Sequence, residues 1–174
     1  SIAIRIARAN SKNDKIAFCG YHGWHDWYLA TNLKGKENLK EHLLPGLNPL
    51  GVPKALKNTV IPFRYNNIKD FKKIISRNKL AAVVVEGSRF EYPKKDFIKE
   101  INNFFKKKKV CLIIDEITSG WRETIGGVYK SLGFNPDIVV YGKGIGNGYA
   151  ISAIVGKSKL MRACEDTFIS STAW

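Results

Sequence analysis

The chain has 174 residues, 44% of them hydrophobic and 25% charged, and its 29 Lys and Arg against 15 Asp and Glu give a net charge of +14. Those proportions suit a globular domain, and no apolar stretch approaches the ~20 residues needed to cross a bilayer. No basic-then-apolar leader opens the sequence, and three cysteines without a CxxC pair suggest neither a zinc site nor a disulfide framework, so a reducing cytoplasm is the expected setting.

The opening "SIAIRIARAN" reads as a helix already under way, which suggests that Ser1 is not a natural beginning. Lys15 to Cys19 is the first predicted strand. Residues 28–58 follow, an irregular stretch with three prolines that reads either as a functional loop or as a surface excursion. A second strand is expected over 59–63, then a lysine-rich helix over 67–77. "LAAVVVE" is a continuous apolar run, the pattern of a strand buried on both faces in a parallel sheet. The spacing of Phe97, Ile98, Ile101, Phe104 and Phe105 predicts an amphipathic helix over 94–108. The lysines of residues 106–109 then sit at its carboxyl end, where they complement the helix dipole and stay solvated. "CLIIDE", "PDIVVYGK" and "ISAIVG" supply three further strands, and a helix over 158–164 closes the pattern. Strands separated by helix-length connections imply βαβ units. The expected fold is α/β, a mostly parallel sheet with helices on both faces.

The positive charge raises nucleic acid or anionic membranes as partners. The lysines are spread along helix surfaces, however, and the chain has no RNP-type motif, zinc finger or recognition helix. Neither partner is expected.

Chemistry concentrates where the apolar runs stop. "AAVVVE" ends in Glu86, "CLIIDE" reaches Asp115 and "IVVYGK" ends in Lys143. Open α/β sheets bind ligands outside the carboxyl ends of their strands. A parallel sheet therefore collects these three residues on one edge, and "GYHGWHDW" arrives there after the first strand. Each has an ordinary alternative: Asp115 as a helix cap, Glu86 paired with Arg89 at the surface, Lys143 as a solvated loop lysine. "YGKGIGNGY" fits neither the P-loop pattern nor the dinucleotide fingerprint. Its glycines free the backbone for positive φ and close approach. A lysine so cleared, opposite a buried carboxylate, suits a Schiff base with an aldehyde cofactor. His22 and His25 lack metal-ligand spacing, so no metal is expected.

"KIAFCGYHGWHD", "VVVE", "LIIDEITSGWR", "GGVYKSLGFNPDIVVYGKGIGNGYAISAIVG" and "FISST" together resemble the large domain of class III, pyridoxal-phosphate-dependent aminotransferases of fold type I, closest to the branch of the glutamate-1-semialdehyde aminomutases. The resemblance implies that Lys143 forms the Schiff base with pyridoxal 5'-phosphate and shuttles the substrate proton. It implies that Asp115 keeps the pyridine nitrogen protonated, that Tyr21 stacks on the ring, and that His22 lies beside the substrate. Glu86 matches a residue near the cofactor. Thr172 matches a threonine that reaches the cofactor phosphate of a neighbouring subunit, which implies a homodimer. His25 and Trp24 are read as packing residues.

The chain also departs from the family pattern. Gly87 replaces the proline that usually follows the glutamate, and Thr118 stands where many relatives carry a cofactor-contacting glutamine. The phosphate-binding turn and the small carboxyl-terminal domain are not among these residues. Residues 1–174 are thus expected to be part of a large domain, inactive in isolation. The implied activity is amino transfer between an amino donor and a carbonyl substrate. The intramolecular aminomutase reaction, an inactive remnant and a basic binding module are the alternatives.

Overall fold

The structure is a computed structural model that describes residues 1–35, 38–42, 47–88, 91–107 and 110–169, the side chains of residues 41 and 107 excepted. Arg89 and Thr172 lie outside the described residues. The elements in chain order are α1 (Ile2–Ser11), β1 (Lys15–Cys19), α2 (Asp26–Leu29), β2 (Val60–Pro62), α3 (Ile68–Arg77), β3 (Leu80–Glu86), α4 (Lys95–Lys107), β4 (Cys111–Asp115), α5 (Tyr129–Leu132), β5 (Ile138–Tyr141), β6 (Ala153–Gly156), α6 (Ser158–Met161) and α7 (Ala163–Asp166). Between α2 and β2 the described chain forms only single 3-10 turns.

The strands make one sheet in the order β2-β1-β3-β4-β5-β6. The first five are parallel and β6 runs antiparallel to β5. The connection from β5 to β6 holds only a 3-10 turn, Lys143–Ile145, in place of a crossover helix, so the chain doubles back.

Successive strand residues point to opposite faces. Ile16, Phe18, Val84, Ile113 and Ile138 face a core completed by Ile4, Ile6 and Ala7 of α1 and by Trp27, Tyr28, Leu39 and Val52. Ala17, Cys19, Val83, Val85, Leu112 and Ile114 face the other core, closed by Phe71 of α3, Phe97 and Ile101 of α4, and Phe134. Both faces are covered, which explains why the strands read as unbroken apolar runs. Removing a side chain such as Phe71 from this packing costs roughly 3–5 kcal/mol.

Side chains fix where the helices stop and start. Asn67 caps α3 by accepting from the Asp70 amide at 3.0 Å. The Asn10 amide donates to the Ile6 carbonyl and to the Leu160 carbonyl, tying the end of α1 to α6. The helix expected over 158–164 is interrupted at Arg162, which separates α6 from α7.

Candidate active site

Parallel pairing brings the carboxyl ends of β1, β3, β4 and β5 side by side. Cys19 pairs with Val85, Glu86 with Asp115, and Asp115 with Val140. With neighbouring strands ~4.8 Å apart, these four ends span roughly 15 Å. Tyr21 follows β1 by two residues, Glu86 and Asp115 end β3 and β4, and Lys143 follows β5 by two. Five sequence-derived candidates, Tyr21, His22, Glu86, Asp115 and Lys143, therefore meet at one edge.

Gly20 makes the first turn possible. Its φ is +98°, and a Cβ there would lie 2.5 Å from the Glu86 Cβ. With no side chain, the backbone settles against Glu86, whose Oε2 accepts the Tyr21 amide at 2.9 Å. Tyr21 is half-buried and meets Tyr28 edge to face at 5.9 Å.

His22 lies deeper, with its side chain only 1% exposed. Its Nε2 is 3.0 Å from the Cys19 carbonyl and its Nδ1 is 2.8 Å from Asp115 Oδ2. Carbonyl and carboxylate are both acceptors, so each contact is a hydrogen bond through a proton on the ring nitrogen that makes it. The ring is thereby fixed with Nδ1 against the carboxylate. Asp115 Oδ1 accepts the Ile117 amide at 3.0 Å. Both carboxylate oxygens are held, and the group keeps 11% of its surface exposed at the edge.

Lys143 is exposed, and its Nζ donates to Thr118 Oγ1 at 3.2 Å. The positive φ expected of the flanking glycines falls on Lys143 itself, at +45°, while Gly142 is extended. Gly144 answers a different need. A Cβ there would lie 2.9 Å from the Gly120 carbonyl, so this glycine lets the β5 turn pack on the turn after β4.

Glu116 was not singled out in the sequence. It is fully buried, and its carboxylate accepts from Ser119 Oγ at 2.5 Å and from the Tyr129 amide at 2.7 Å. Burial pushes its carboxyl above the ordinary 4.5, against those two hydrogen bonds. It fastens the segment after β4 to the start of α5, beside Asp115. The "DE" pair was legible, but only the fold shows that the second acid turns inward. Burial also pushes the Tyr65 hydroxyl up, and that hydroxyl donates to the Glu86 carbonyl at 3.0 Å.

Trp24 and His25 stack on each other at 4.9 Å and are exposed rather than packed in a core. Among the described residues no cluster of three His, Cys, Asp or Glu is arranged to hold a metal ion. No helix there is long and apolar enough to cross a membrane.

The sequence matches the profile of the family described as Aminotransferase class-III over residues 1–172. The chain belongs to that family. It is 35% identical to a 3-aminobutyryl-CoA aminotransferase of Cloacimonas acidaminovorans, over 99% of this chain and 40% of the relative. It is 37% identical to a glutamate-1-semialdehyde 2,1-aminomutase of Nitrosopumilus maritimus, over 91% of this chain and 38% of the relative. Among solved structures, a transaminase with PLP bound superposes with a TM-score of 0.77 at 25% identity, over 92% of this chain and 38% of that one. The class III chain described here thus spans about 40% of the length of the curated relatives it matches.

Proposed function

We propose that the protein carrying this chain is a pyridoxal-phosphate-dependent transaminase, moving an amino group between a small-molecule amino donor and a carbonyl acceptor. Residues 1–174 are read as part of its cofactor-binding large domain, and the working protein as a homodimer in which Thr172 serves the neighbouring subunit's cofactor phosphate.

The observation that supports this most is a primary amine and a doubly held carboxylate at the same end of neighbouring parallel strands. The residues present fit the cofactor. Lys143 offers an exposed ε-amine beside a neutral hydroxyl, Asp115 a carboxylate at the sheet edge, and Tyr21 a half-buried aromatic ring. Lys143 would hold the aldehyde carbon, Asp115 would face the ring nitrogen, and Tyr21 would lie against the ring. When bound, the cofactor supplies an electron sink for the charge left when substrate Cα loses its proton.

The chain's own residues supply the rest. The Lys143 amine, in its neutral form, would take the proton from substrate Cα and deliver it to the carbon that the cofactor's aldehyde supplies. Asp115 would set its carboxylate against the ring nitrogen, where an anion favours the protonated ring. His22 holds Asp115 from beneath, so the carboxylate cannot rotate away. The Glu86 carboxylate, bonded to the Tyr21 amide, sets the height of the aromatic platform.

The test is borohydride reduction of the cofactor-loaded full-length protein, followed by peptide mass analysis. A pyridoxyl group on the peptide holding Lys143, absent in Lys143→Ala, is the expected result. Labelling of a different lysine would refute the assignment. The aminomutase reading rests on the 37% identity to the Nitrosopumilus enzyme. Turnover without any external keto acid would favour it.

A further inference from the structure

We propose that the opposite end of the sheet carries a second ligand site, a basic pocket that binds a small oligophosphate anion. The pocket has a volume of about 610 Å³ and lies where β1, β2 and β3 begin. Lys12, Lys15, Lys57, Arg77 and Lys79 line it, with Asp14 as the lone acid. That is five cations to one anion, against 29 to 15 for the whole chain, so the positive charge is concentrated here beyond its average.

The ordinary explanation covers only part of the cluster. Lys12 and Arg77 end α1 and α3, where cations complement the carboxyl ends of helix dipoles. Lys57 caps only a single 3-10 turn, Lys79 lies two residues past α3 and Lys15 opens β1, so the ends of the two long helices do not account for all five. Five cations around one hollow, with a single acid among them, leave an excess positive field that a bound anion would relieve.

The walls are built independently of any ligand. The Asn78 side chain donates to the Ile74 carbonyl at 3.0 Å and accepts from Lys15 Nζ at 3.0 Å, joining the end of α3 to β1. Thr59 Oγ1 donates to the Leu56 carbonyl at 2.7 Å, and the Thr59 carbonyl accepts the Ile16 amide at 2.8 Å. The Asn13 amide is held by Ser11 Oγ at 3.2 Å. The exposed cations Lys12, Lys57, Arg77 and Lys79 stand on these fixed segments.

The hollow is open to solvent and lined only by polar and charged residues, which suits a small hydrophilic anion and not an apolar ligand. A nucleic acid strand needs an extended groove with aromatic platforms, and none of the residues lining this pocket is aromatic. A compact anion with several charges, the chemistry of a di- or triphosphate, matches the net excess of four cations (five less one).

The test uses the full-length protein loaded with pyridoxal phosphate, so the cofactor site is filled, titrated calorimetrically with inorganic tripolyphosphate. Saturable binding of one anion per chain is expected, weakening as salt rises. Lys57→Gln with Arg77→Gln should weaken it at least about tenfold. The pair Lys69→Gln and Lys73→Gln removes the same charge from α3 outside the pocket, and should change it less than about twofold. Asp14→Asn should tighten binding. A nucleoside triphosphate that binds much tighter than tripolyphosphate identifies a nucleotide as the source, and equal binding identifies the phosphate chain as sufficient. The absence of saturable binding, equal losses in both pairs, or stronger binding of a single-stranded oligonucleotide would overturn the proposal.

Discussion

Two glycines of the turn after β1 separate two effects that are usually mixed. Gly20 and Gly23 have nearly the same backbone, at φ +98° and +95°. An alanine at either position carries the strain of a positive φ, about 1–2 kcal/mol. The space around them differs. A Cβ on Gly23 has no heavy atom within 4 Å, whereas one on Gly20 meets Glu86 Cβ at 2.5 Å and Oε2 at 2.9 Å. The nearer atom is the root of the Glu86 side chain, so it cannot swing aside without the backbone of β3 moving. Overpacking of that kind adds about 1–3 kcal/mol. Gly23→Ala should therefore lower stability by about 1–2 kcal/mol and Gly20→Ala by about 2–5 kcal/mol. Urea unfolding of the full-length protein gives both values on one scale.

The same pair carries a functional readout. Displacing Glu86 removes the acceptor that fixes the Tyr21 amide. Gly20→Ala should consequently weaken cofactor binding as well as the fold, while Gly23→Ala should leave the affinity close to wild type. Equal destabilisation by the two variants would refute the contact argument. Unchanged cofactor affinity in Gly20→Ala would refute the link between Glu86 and the aromatic platform.

Three other outcomes are expected. Asp115→Asn can still accept from the Ile117 amide but removes the anion, so it should bind cofactor and lose turnover by about a hundredfold or more in a steady-state assay. Burial raises the Glu116 carboxyl above 4.5, so the folded state retains a proton that the unfolded state releases, and stability falls as pH rises from about 4.5 through the folded value. Glu116→Gln, which can keep both contacts, should flatten that slope and gain on wild type towards neutral pH; parallel urea profiles would sink the reasoning. Burial also pushes the Cys19 and Cys111 thiols up, with Glu86 adding to the effect on Cys19. Iodoacetamide at mildly alkaline pH should leave both unmodified in the native protein and label them once denaturant is present.

The strands were legible because covering both faces of a sheet demands unbroken apolar runs, and such runs as "LAAVVVE" signal themselves. The edge was legible for a related reason, since polar residues that end those runs must share the strands' common end. The four-residue helices α2 and α5 were not, because one turn is too short to display a period. The pairing of His22 with Asp115 joins residues 93 positions apart, and no local pattern encodes a contact of that separation. The sequence placed His22 beside the substrate by resemblance, while the fold sets its ring under Asp115 with almost no exposure. The inward course of Glu116 is of the same kind. Its carboxylate occupies space that a Cβ on Gly87 or Gly127 would invade, at 2.9 Å in each case.

The two departures from the family pattern fall where the geometry gives them work. Gly87 stands in place of a proline, and its amide donates to the Asp115 carbonyl at 2.9 Å, a bond that proline lacks the hydrogen to make. The pairing of β3 with β4 thereby continues one residue past Glu86, and the backbone carrying the carboxylate is held from both sides, since the Glu116 amide donates to the Val140 carbonyl of β5. Thr118 stands in place of a glutamine, and its short hydroxyl meets Lys143 Nζ. The shorter side chain still offers the amine one neutral acceptor. Both positions neighbour Lys143 or Asp115, the pair proposed above to carry the chemistry. Variation next to an intact amine and carboxylate is where a family can change its substrate while keeping its chemistry.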